Sequence, residues 1–219
     1  MTFSIVARDP RSGAFGVASA TGGPVVGSLV PHAAPGTGAI ATQGNTNALY
    51  AFDGLALLSD PRMTAETALQ QVLADDDGRD RRQCIMVDRM GHAASWTGPA
   101  CGPYAGALTE EGVAVAGNML AAEAVLAEML AAYRRTPGDL GDRLLAALRA
   151  GEAAGGDERG IRSAALKVYT TEPYPALDIR ADWSTRPLDD LAATLAAVRA
   201  PGYADFFASI PTRAAQARG

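Results

Sequence analysis

The stretch MTFSIVARDPRSGAFGVASAT, residues 1–21, predicts the first two strands of the protein and decides the fold. Residues 3–8 form a run typical of a β-strand. Residues 9–13 have turn chemistry, because proline fixes φ and glycine permits a positive φ. Residues 14–21 then return as the second strand of a hairpin. The chain therefore begins with an antiparallel pair, and Thr2 stands at the tip of its first strand.

The rest of the chain continues this grouping of like elements. Strand patterns occur at residues 36–44, 84–88, 92–97, 112–116, 162–170 and 176–183, and helical patterns at residues 49–60, 61–77, 120–135, 140–156 and 188–199. A doubly wound βαβ protein would alternate strands and helices singly. Blocks of like elements instead favour an α+β fold, in which two stacked antiparallel sheets are flanked by helices. This is a four-layer αββα sandwich, and its doubly covered strands explain small apolar runs such as residues 112–116.

Length and composition indicate one globular unit. The 219 residues are 48% hydrophobic and 20% charged, which is typical of a folded protein. We predict a single domain over residues 1–207 and a polar tail over residues 208–219. The formal net charge of −5 offers no basic surplus for phosphates, so nucleic acid is not an expected partner.

Targeting and redox signals predict a cytoplasmic protein. The N-terminus lacks the charged and apolar regions of a signal peptide, and no apolar run reaches membrane-spanning length, so we expect no membrane partner. Cys84 and Cys101 are too few for a disulfide framework. Two buried thiols are the favoured interpretation, with a disulfide or a catalytic thiol as alternatives. The many apolar helices favour a homodimer.

Thr2 is a candidate catalytic residue. Threonine is small enough for methionine aminopeptidase to remove the preceding Met1, which would give Thr2 a free α-amine beside its hydroxyl. Such an amine has a pKa of roughly 7.7–8.0, so part of it is neutral at cellular pH. One residue then supplies both the nucleophile and the general base. Taken alone, a threonine at this position is also a common and uninformative feature.

Five segments together resemble one bacterial family. They are MTFSIVARDP, GVASAT, GAIATQ, VAGNML and GEAAGGDERGIRSAALKVY, and they look like the family called domain of unknown function 1028. The similarity runs from Thr2 to about Tyr169. That family is placed among the N-terminal-nucleophile (Ntn) hydrolases, so the resemblance implies an Ntn-hydrolase-like αββα sandwich.

Likeness to the distantly related catalytic proteasome subunits implies further site residues. Asp157 and Ser163 would orient and polarise the amine of Thr2. Asn118 would donate to an oxyanion, together with a backbone N–H near Gln43 or Gly44. The proteasome pattern of an acidic and a basic residue on the second and third strands is absent. Ser19 stands where the acid is expected, no lysine precedes Lys167, and Arg8 and Arg162 are the conceivable cationic substitutes.

Neutral side chains supply the candidate substrate-binding residues, which are Ser19, His32, Gln43 and Asn45. Gln43 and Asn45 lie in ATQGNTN, a set that suits recognition of an amide or carboxylate in a cleft. The same segment equally suits helix capping by Asn47. His32 would line the pocket, or be a plain polar loop residue. Residues 95–106 would form a loop over the pocket with Trp96 and Tyr104 as walls, or Trp96 would pack in the core.

Metal and cofactor signals are weak. The two histidines are too few for a histidine-rich zinc site, and no H-E-x-x-H motif occurs. The acidic residues 74–82 lack the ligand spacing of a calcium loop. We therefore expect no metal and no cofactor.

These observations predict an amidohydrolase that cleaves an amide or peptide-like C–N bond in a small-molecule or peptide-like substrate. The alternative is a non-catalytic protein of the same fold that binds a small molecule or a peptidoglycan fragment.

Overall fold

The computed structural model describes residues 2–157 and 159–215. The strands are β1 (Thr2–Arg8), β2 (Phe15–Thr21), β3 (Pro31–Ala34), β4 (Gly38–Gly44), β5 (Arg82–Asp88), β6 (Ala93–Thr97), β7 (Gly106–Glu110), β8 (Val113–Asn118), β9 (Ser163–Tyr169) and β10 (Leu177–Ala181). The α-helices are α1 (Leu49–Leu58), α2 (Ala65–Ala74), α3 (Ala124–Arg135), α4 (Leu140–Ala153), α5 (Pro187–Val198) and α6 (Pro201–Ser209).

The strands form two antiparallel sheets. The large sheet has six strands in the order β10-β9-β2-β1-β8-β7, and the small sheet has four in the order β3-β4-β5-β6. Strand β1 is central in the large sheet, because it pairs with β2 on one side and with β8 on the other. The first strand of the chain is therefore covered along both edges.

Three apolar clusters define the layers. The inner faces of the two sheets enclose a cluster that includes Val6, Val17 and Ile85. The outer face of the large sheet packs against α3, α4 and α5, and that of the small sheet against α1 and α2. Alternation along β1 sends Val6 inward and Ile5 towards the helices. The predicted four-layer αββα sandwich is confirmed.

Close helix packing explains one glycine of strand β2. A Cβ atom at Gly16 would lie 2.6 Å from Leu144 Cδ1 and 2.8 Å from Leu140 Cδ2. Both leucines belong to α4, so the missing side chain lets this helix approach the large sheet. The small residues of these strands thus serve the layered packing.

Some elements differ from the sequence-based prediction. A 3₁₀-helix at Val26–Ser28 and strand β3 both lie between the predicted strands at residues 14–21 and 36–44, where no element was predicted. Strand β7 begins at Gly106, the last residue of the predicted loop at residues 95–106, in a segment where no strand was predicted. Trp96 lies in β6, donates from Nε1 to the carbonyl oxygen of Arg79 at 2.9 Å and packs beside the α1–α2 cluster. Trp96 is thus partly buried against this cluster.

The two cysteines are free and buried, so the favoured interpretation is confirmed. Burial raises the pKa of both thiols. In the described part of the chain, no helix combines the length and the apolar character needed to cross a membrane.

Candidate functional site

Four polar residues stand side by side at one end of the large sheet. Thr2 is opposite Asn118 of β8 and Thr21 of β2, and Thr21 is in turn opposite Ser163 of β9. Neighbouring strands are about 4.8 Å apart, so this polar row is about 14 Å long. The pairing of β1 on both edges holds Thr2 firmly at the centre of the row.

The polar row belongs to a larger cluster between the sheets. Thr2 and Ser4 share the inward face of β1 with Val6, because side chains two residues apart point the same way. Ser4 is opposite Ser19 in β2, and their hydroxyl oxygens are 2.8 Å apart. Both serines are completely buried. The end of the inter-sheet space near Thr2 is thus polar, whereas the remainder is apolar.

Gln43 joins the small sheet to Thr2. Its Nε2 donates to the backbone carbonyl oxygen of Thr2 at 3.1 Å and to Gln83 Oε1 at 2.7 Å. Its Oε1 accepts a hydrogen bond from Ser4 Oγ at 2.6 Å. The predicted site residue Gln43 is therefore hydrogen-bonded to the backbone of the candidate nucleophile.

Gln83 is the second amide at this junction, and it is completely buried. Its Oε1 also accepts from Asn118 Nδ2 at 3.0 Å. Its Nε2 is 2.9 Å from Thr97 Oγ1, 3.0 Å from the carbonyl oxygen of Gly106 and 2.9 Å from that of Gly117. Gln43, Gln83, Asn118 and Thr2 consequently form a closed, uncharged loop across the two sheets.

The hydroxyl of Thr2 has another hydroxyl as its partner. Thr2 Oγ1 donates to Thr21 Oγ1 at 3.2 Å, and Thr2 is only 9% exposed. Within residues 2–157 and 159–215, no carboxylate, guanidinium or ammonium group of a side chain makes a hydrogen bond to Thr2 Oγ1. The described side chains thus supply no charged base for this hydroxyl.

Asp157 lies one strand away from Thr2, at the rim of the cluster. It accepts from the backbone N–H of Gly22 at 2.6 Å and forms an ion pair with Arg159, whose Nη2 is 2.9 Å from Oδ2. Burial opposes its ionisation, but the hydrogen bonds from Arg159 and Gly22 prevail, and the pKa of Asp157 lies below its ordinary value. Asp157 is thus an ionised anchor for the chain after Thr21.

Ser163 has a similar anchoring position. Its Oγ donates to the carbonyl oxygen of Gly23 at 2.7 Å and accepts from the backbone N–H of Val26 at 3.1 Å. Ser163 and Asp157 therefore both bind the loop that follows Thr21, Asp157 also binds Arg159, and neither has a described hydrogen bond to Thr2. The structure places both residues beside Thr21 and not beside the candidate nucleophile Thr2.

Other predicted residues lie farther away. His32 is opposite Ile40, which faces α1, and its ring is 5.0 Å from that of Phe52. Burial lowers the pKa of His32. This histidine faces the helical layer, outside the polar cluster. Asn45 is exposed just beyond β4, where its backbone N–H donates to Arg81.

The two conceivable cationic substitutes do not contact Thr2. Arg8 ends β1 opposite Phe15, at the other end of the strand. Arg162 is exposed, and its guanidinium lies 6.0 Å from the centre of the Trp183 ring. The backbone N–H of Arg162 donates to the carbonyl oxygen of Thr21 at 2.7 Å, but no hydrogen bond joins either guanidinium to a described residue of the cluster.

Sequence reasoning missed several members of the cluster, namely Ser4, Thr21, Gln83 and Thr97. A signal for Gln83 was present: it continues the two-residue alternation of Ile85 and Val87, which face the inner layer. The prediction began that strand at Cys84 and so left Gln83 outside. In the described part of the chain, no three His, Cys, Asp or Glu side chains are grouped so as to hold a metal ion.

Fold and site together define an αββα sandwich with a buried, neutral hydrogen-bonding cluster at the end of its central strand. The model of the family of unknown function DUF1028 matches residues 2–191. The chain belongs to this family.

Solved structures show the same fold. The crystal structure of protein SPO2555 from Silicibacter pomeroyi, described as a DUF1028 protein, is 33% identical. It superposes with a TM-score of 0.92, and the match covers 99% of this chain and 94% of that one. No curated protein matches the chain.

Two weaker likenesses are to proteins named Anbu. Anbu (ancestral beta-subunit) from Yersinia bercovieri is 13% identical with a TM-score of 0.42, over 96% of this chain and 98% of that one. An Anbu (Gly-1) mutant from Hyphomicrobium sp. strain MC1 is 13% identical with a TM-score of 0.43, over 97% and 99%. Likenesses of this level support no inference about activity.

Proposed function

We propose that the protein is an Ntn amidohydrolase whose nucleophile is the hydroxyl of Thr2, freed by removal of Met1. The observation that carries this proposal is the position of Thr2. It is the first residue of the central strand, it is paired on both sides, and its side chain faces a buried polar cluster. A nucleophile acts efficiently when rigid elements hold it in this way.

The reaction runs in two steps. Thr2 Oγ1 adds to the carbonyl carbon of the substrate while its proton passes to the free amine of Thr2. The intermediate collapses, the C–N bond breaks, and the departing amine takes that proton, which leaves an acyl ester on Thr2. A water molecule then adds to the ester and gives its proton to the Thr2 amine. Cleavage of the ester bond returns the proton to Oγ1 and releases a carboxylic acid.

Asn118 is the proposed oxyanion donor. One N–H of its Nδ2 is directed at Gln83, and the second has no partner within residues 2–157 and 159–215. That N–H is available to a developing negative charge one strand away from Thr2. Gln43 and Gln83 fix the positions of Thr2 and Asn118 through hydrogen bonds. Asp157 and Ser163 hold the loop that follows Thr21.

The proposed substrate class is based on the uncharged side chains of the cluster. A small amide, peptide or carbamoyl-like group meets amide and hydroxyl partners there. Gln43 and Ser19 remain the proposed substrate-binding residues from the predicted set, and Asn45 is a more distant member just beyond β4. His32 is the weakest member, because it faces α1.

The experiment has three parts. Intact mass of the native protein is expected to show loss of Met1. 4-Nitrophenyl acetate is expected to transfer one acetyl group to Thr2, detected by peptide mapping with release of 4-nitrophenol. Thr2→Ser should retain this acylation and Thr2→Ala should lose it. Undiminished acylation of Thr2→Ala, or retained Met1 in the native host, would contradict the mechanism.

A non-catalytic binding protein is the second candidate. The observation that favours it is the hydrogen bond from Thr2 to Thr21, which satisfies the hydroxyl without any reaction. A protein of this kind would bind a small amide or a peptidoglycan fragment equally well as wild type and as Thr2→Ala. Calorimetry with both proteins separates this candidate from the hydrolase.

We also propose that the protein acts in the cytoplasm as a homodimer, independently of nucleic acid and membranes. Sedimentation equilibrium and cell fractionation in the native host test these points.

A further inference from the structure

Three apolar residues share an unfavourable backbone conformation. Among the described residues, the non-glycine positions with positive φ are Val25 (51°), Tyr104 (49°) and Met119 (51°). The left-handed region is costly for L-residues and especially unusual for a β-branched one. All three side chains are also exposed, at 44%, 55% and 37%. Strain of this kind is concentrated at functional sites in folded proteins.

Met119 and Tyr104 lie together at one end of the polar row. Met119 directly follows Asn118 at the end of β8. The backbone N–H of Leu120 donates to the carbonyl oxygen of Tyr104 at 3.2 Å. A Cβ atom at Gly102 would be 3.3 Å from Met119 Cγ, so the loop that carries Tyr104 packs beside Met119.

Val25 lies at the other end of the row. The next residue, Val26, donates its backbone N–H to Ser163 Oγ at 3.1 Å, and Val25 itself donates to the carbonyl oxygen of Asp182 at 2.9 Å. The polar row between these ends contains Thr2 and Thr21. The exposed apolar side chains therefore flank the candidate nucleophile on two sides.

Two charged residues beside this row, Asp157 and Arg159, are paired with each other. Their ion pair measures 2.9 Å, and the side chains of the polar row are uncharged. A molecule lying along the row thus meets neutral hydrogen-bonding groups at its centre and apolar groups towards its ends. This pattern fits an amide whose two sides carry nonpolar substituents.

We propose that Val25, Tyr104 and Met119 form an apolar rim that determines specificity for amides with nonpolar groups beside the scissile bond. The inference rests on the proposed function and adds the substrate class. Glycine at these positions would remove both the strain and the apolar surface. Glycine variants are therefore expected to stay folded while they lose the apolar side chains, so an effect on specificity can be separated from an effect on folding.

The experiment compares two acylating esters, 4-nitrophenyl hexanoate and 4-nitrophenyl acetate. The rate of Thr2 acylation is measured for wild type and for Val25→Gly, Tyr104→Gly and Met119→Gly. The hexanoyl chain has more methylene groups to bury than the acetyl group. The ratio of the hexanoate acylation rate to the acetate acylation rate should therefore be about tenfold lower in at least one variant than in wild type. The acetate rate should stay within about twofold, and Tm should equal or exceed that of wild type.

Tyr203→Ala is the matched control. Tyr203 is an aromatic residue of α6 that is 62% exposed, on an element whose main packing partner is α5. The hexanoate-to-acetate ratio of acylation rates for Tyr203→Ala should equal that of wild type. Normal acetate acylation with an unchanged ratio in all three rim variants would overturn the rim and leave the hydrolase proposal standing. Absence of Thr2 acylation by either ester in wild type would overturn the hydrolase and the rim together.

Discussion

The Nε2 of Gln43 donates to the backbone carbonyl oxygen of Thr2 at 3.1 Å. This bond joins the small sheet to the first residue of the central strand in the large sheet. Both residues are buried. The position of the candidate nucleophile therefore depends on how the two sheets pack, and not only on strand pairing within one sheet.

Replacing Gln43 should loosen this junction. Gln43→Ala leaves the buried groups of Ser4 and Gln83 with fewer partners, so the free energy of unfolding should fall by about 1–3 kcal/mol. Urea denaturation measures the change. Gln71→Ala, on the exposed side of α2, is the control and should have little effect. A stability loss for Gln43→Ala no larger than that of the control would contradict the role assigned to this amide.

Gln83 and Asn118 should act as a unit in acylation. Asn118→Ala removes the proposed oxyanion donor, and its acylation rate with 4-nitrophenyl acetate should fall about 100-fold. Gln83→Met removes the acceptor that orients Asn118, so its rate should fall as well, by a smaller factor. The double variant should be no slower than Asn118→Ala alone, because the two residues act on the same group. Multiplicative losses in this double-mutant cycle would show that Gln83 does not work through Asn118.

Adjacent glycines after Thr21 should respond differently to substitution. A Cβ atom at Gly22 would be 2.8 Å from Asp157 Oδ2 and 2.8 Å from the carbonyl oxygen of Gly160, whereas the nearest atom to a Cβ at Gly23 is 3.9 Å away. Gly22→Ala should therefore destabilise the protein by about 1–3 kcal/mol through overpacking. Gly23→Ala is the matched control and should be close to neutral. Thermal denaturation measures the Tm of both variants. Equal Tm values would rule out a tight contact between residue 22 and Asp157.

Stability at low pH should depend on Asp157. Its hydrogen bonds with Arg159 and Gly22 hold its pKa below the ordinary value of 3.8 in the folded protein. The stabilisation is therefore complete above pH 3.8 and is lost as the pH falls through the lower folded-state pKa. Asp157→Asn should be less stable than wild type at neutral pH by about 1–3 kcal/mol, and this difference should shrink below pH 3.8.

The control for the pH measurement is Asp182→Asn. Asp182 forms an ion pair with Arg180 in which both side chains are substantially exposed, and such pairs contribute little. Urea denaturation at several pH values measures the free energy of unfolding of wild type, Asp157→Asn and Asp182→Asn. A wild-type advantage over Asp157→Asn that does not depend on pH would exclude an ionised carboxylate in this role.

The grouping of like elements made the layered fold readable from the sequence. The hairpin at residues 3–21 is local, so its turn residues and alternation predict it directly. Strand β7 and helix α6 were missed for different reasons. Strand β7 is an edge strand with a weak apolar pattern. Helix α6 spans only nine residues, all of them exposed, and its aromatic residues at helical spacing, Tyr203, Phe206 and Phe207, are too short a pattern to establish a helix.

The sequence by itself determined the αββα architecture and the place of Thr2 at the start of a strand, because periodicity and turn chemistry are local properties. Only the tertiary structure decided which polar side chains meet there. Gln43 and Gln83 contact each other because β4 and β5 pair in register, and they reach Thr2 and Asn118 because the sheets stack face to face. Contacts between residues far apart in sequence arise from packing of whole layers, and no local pattern records them.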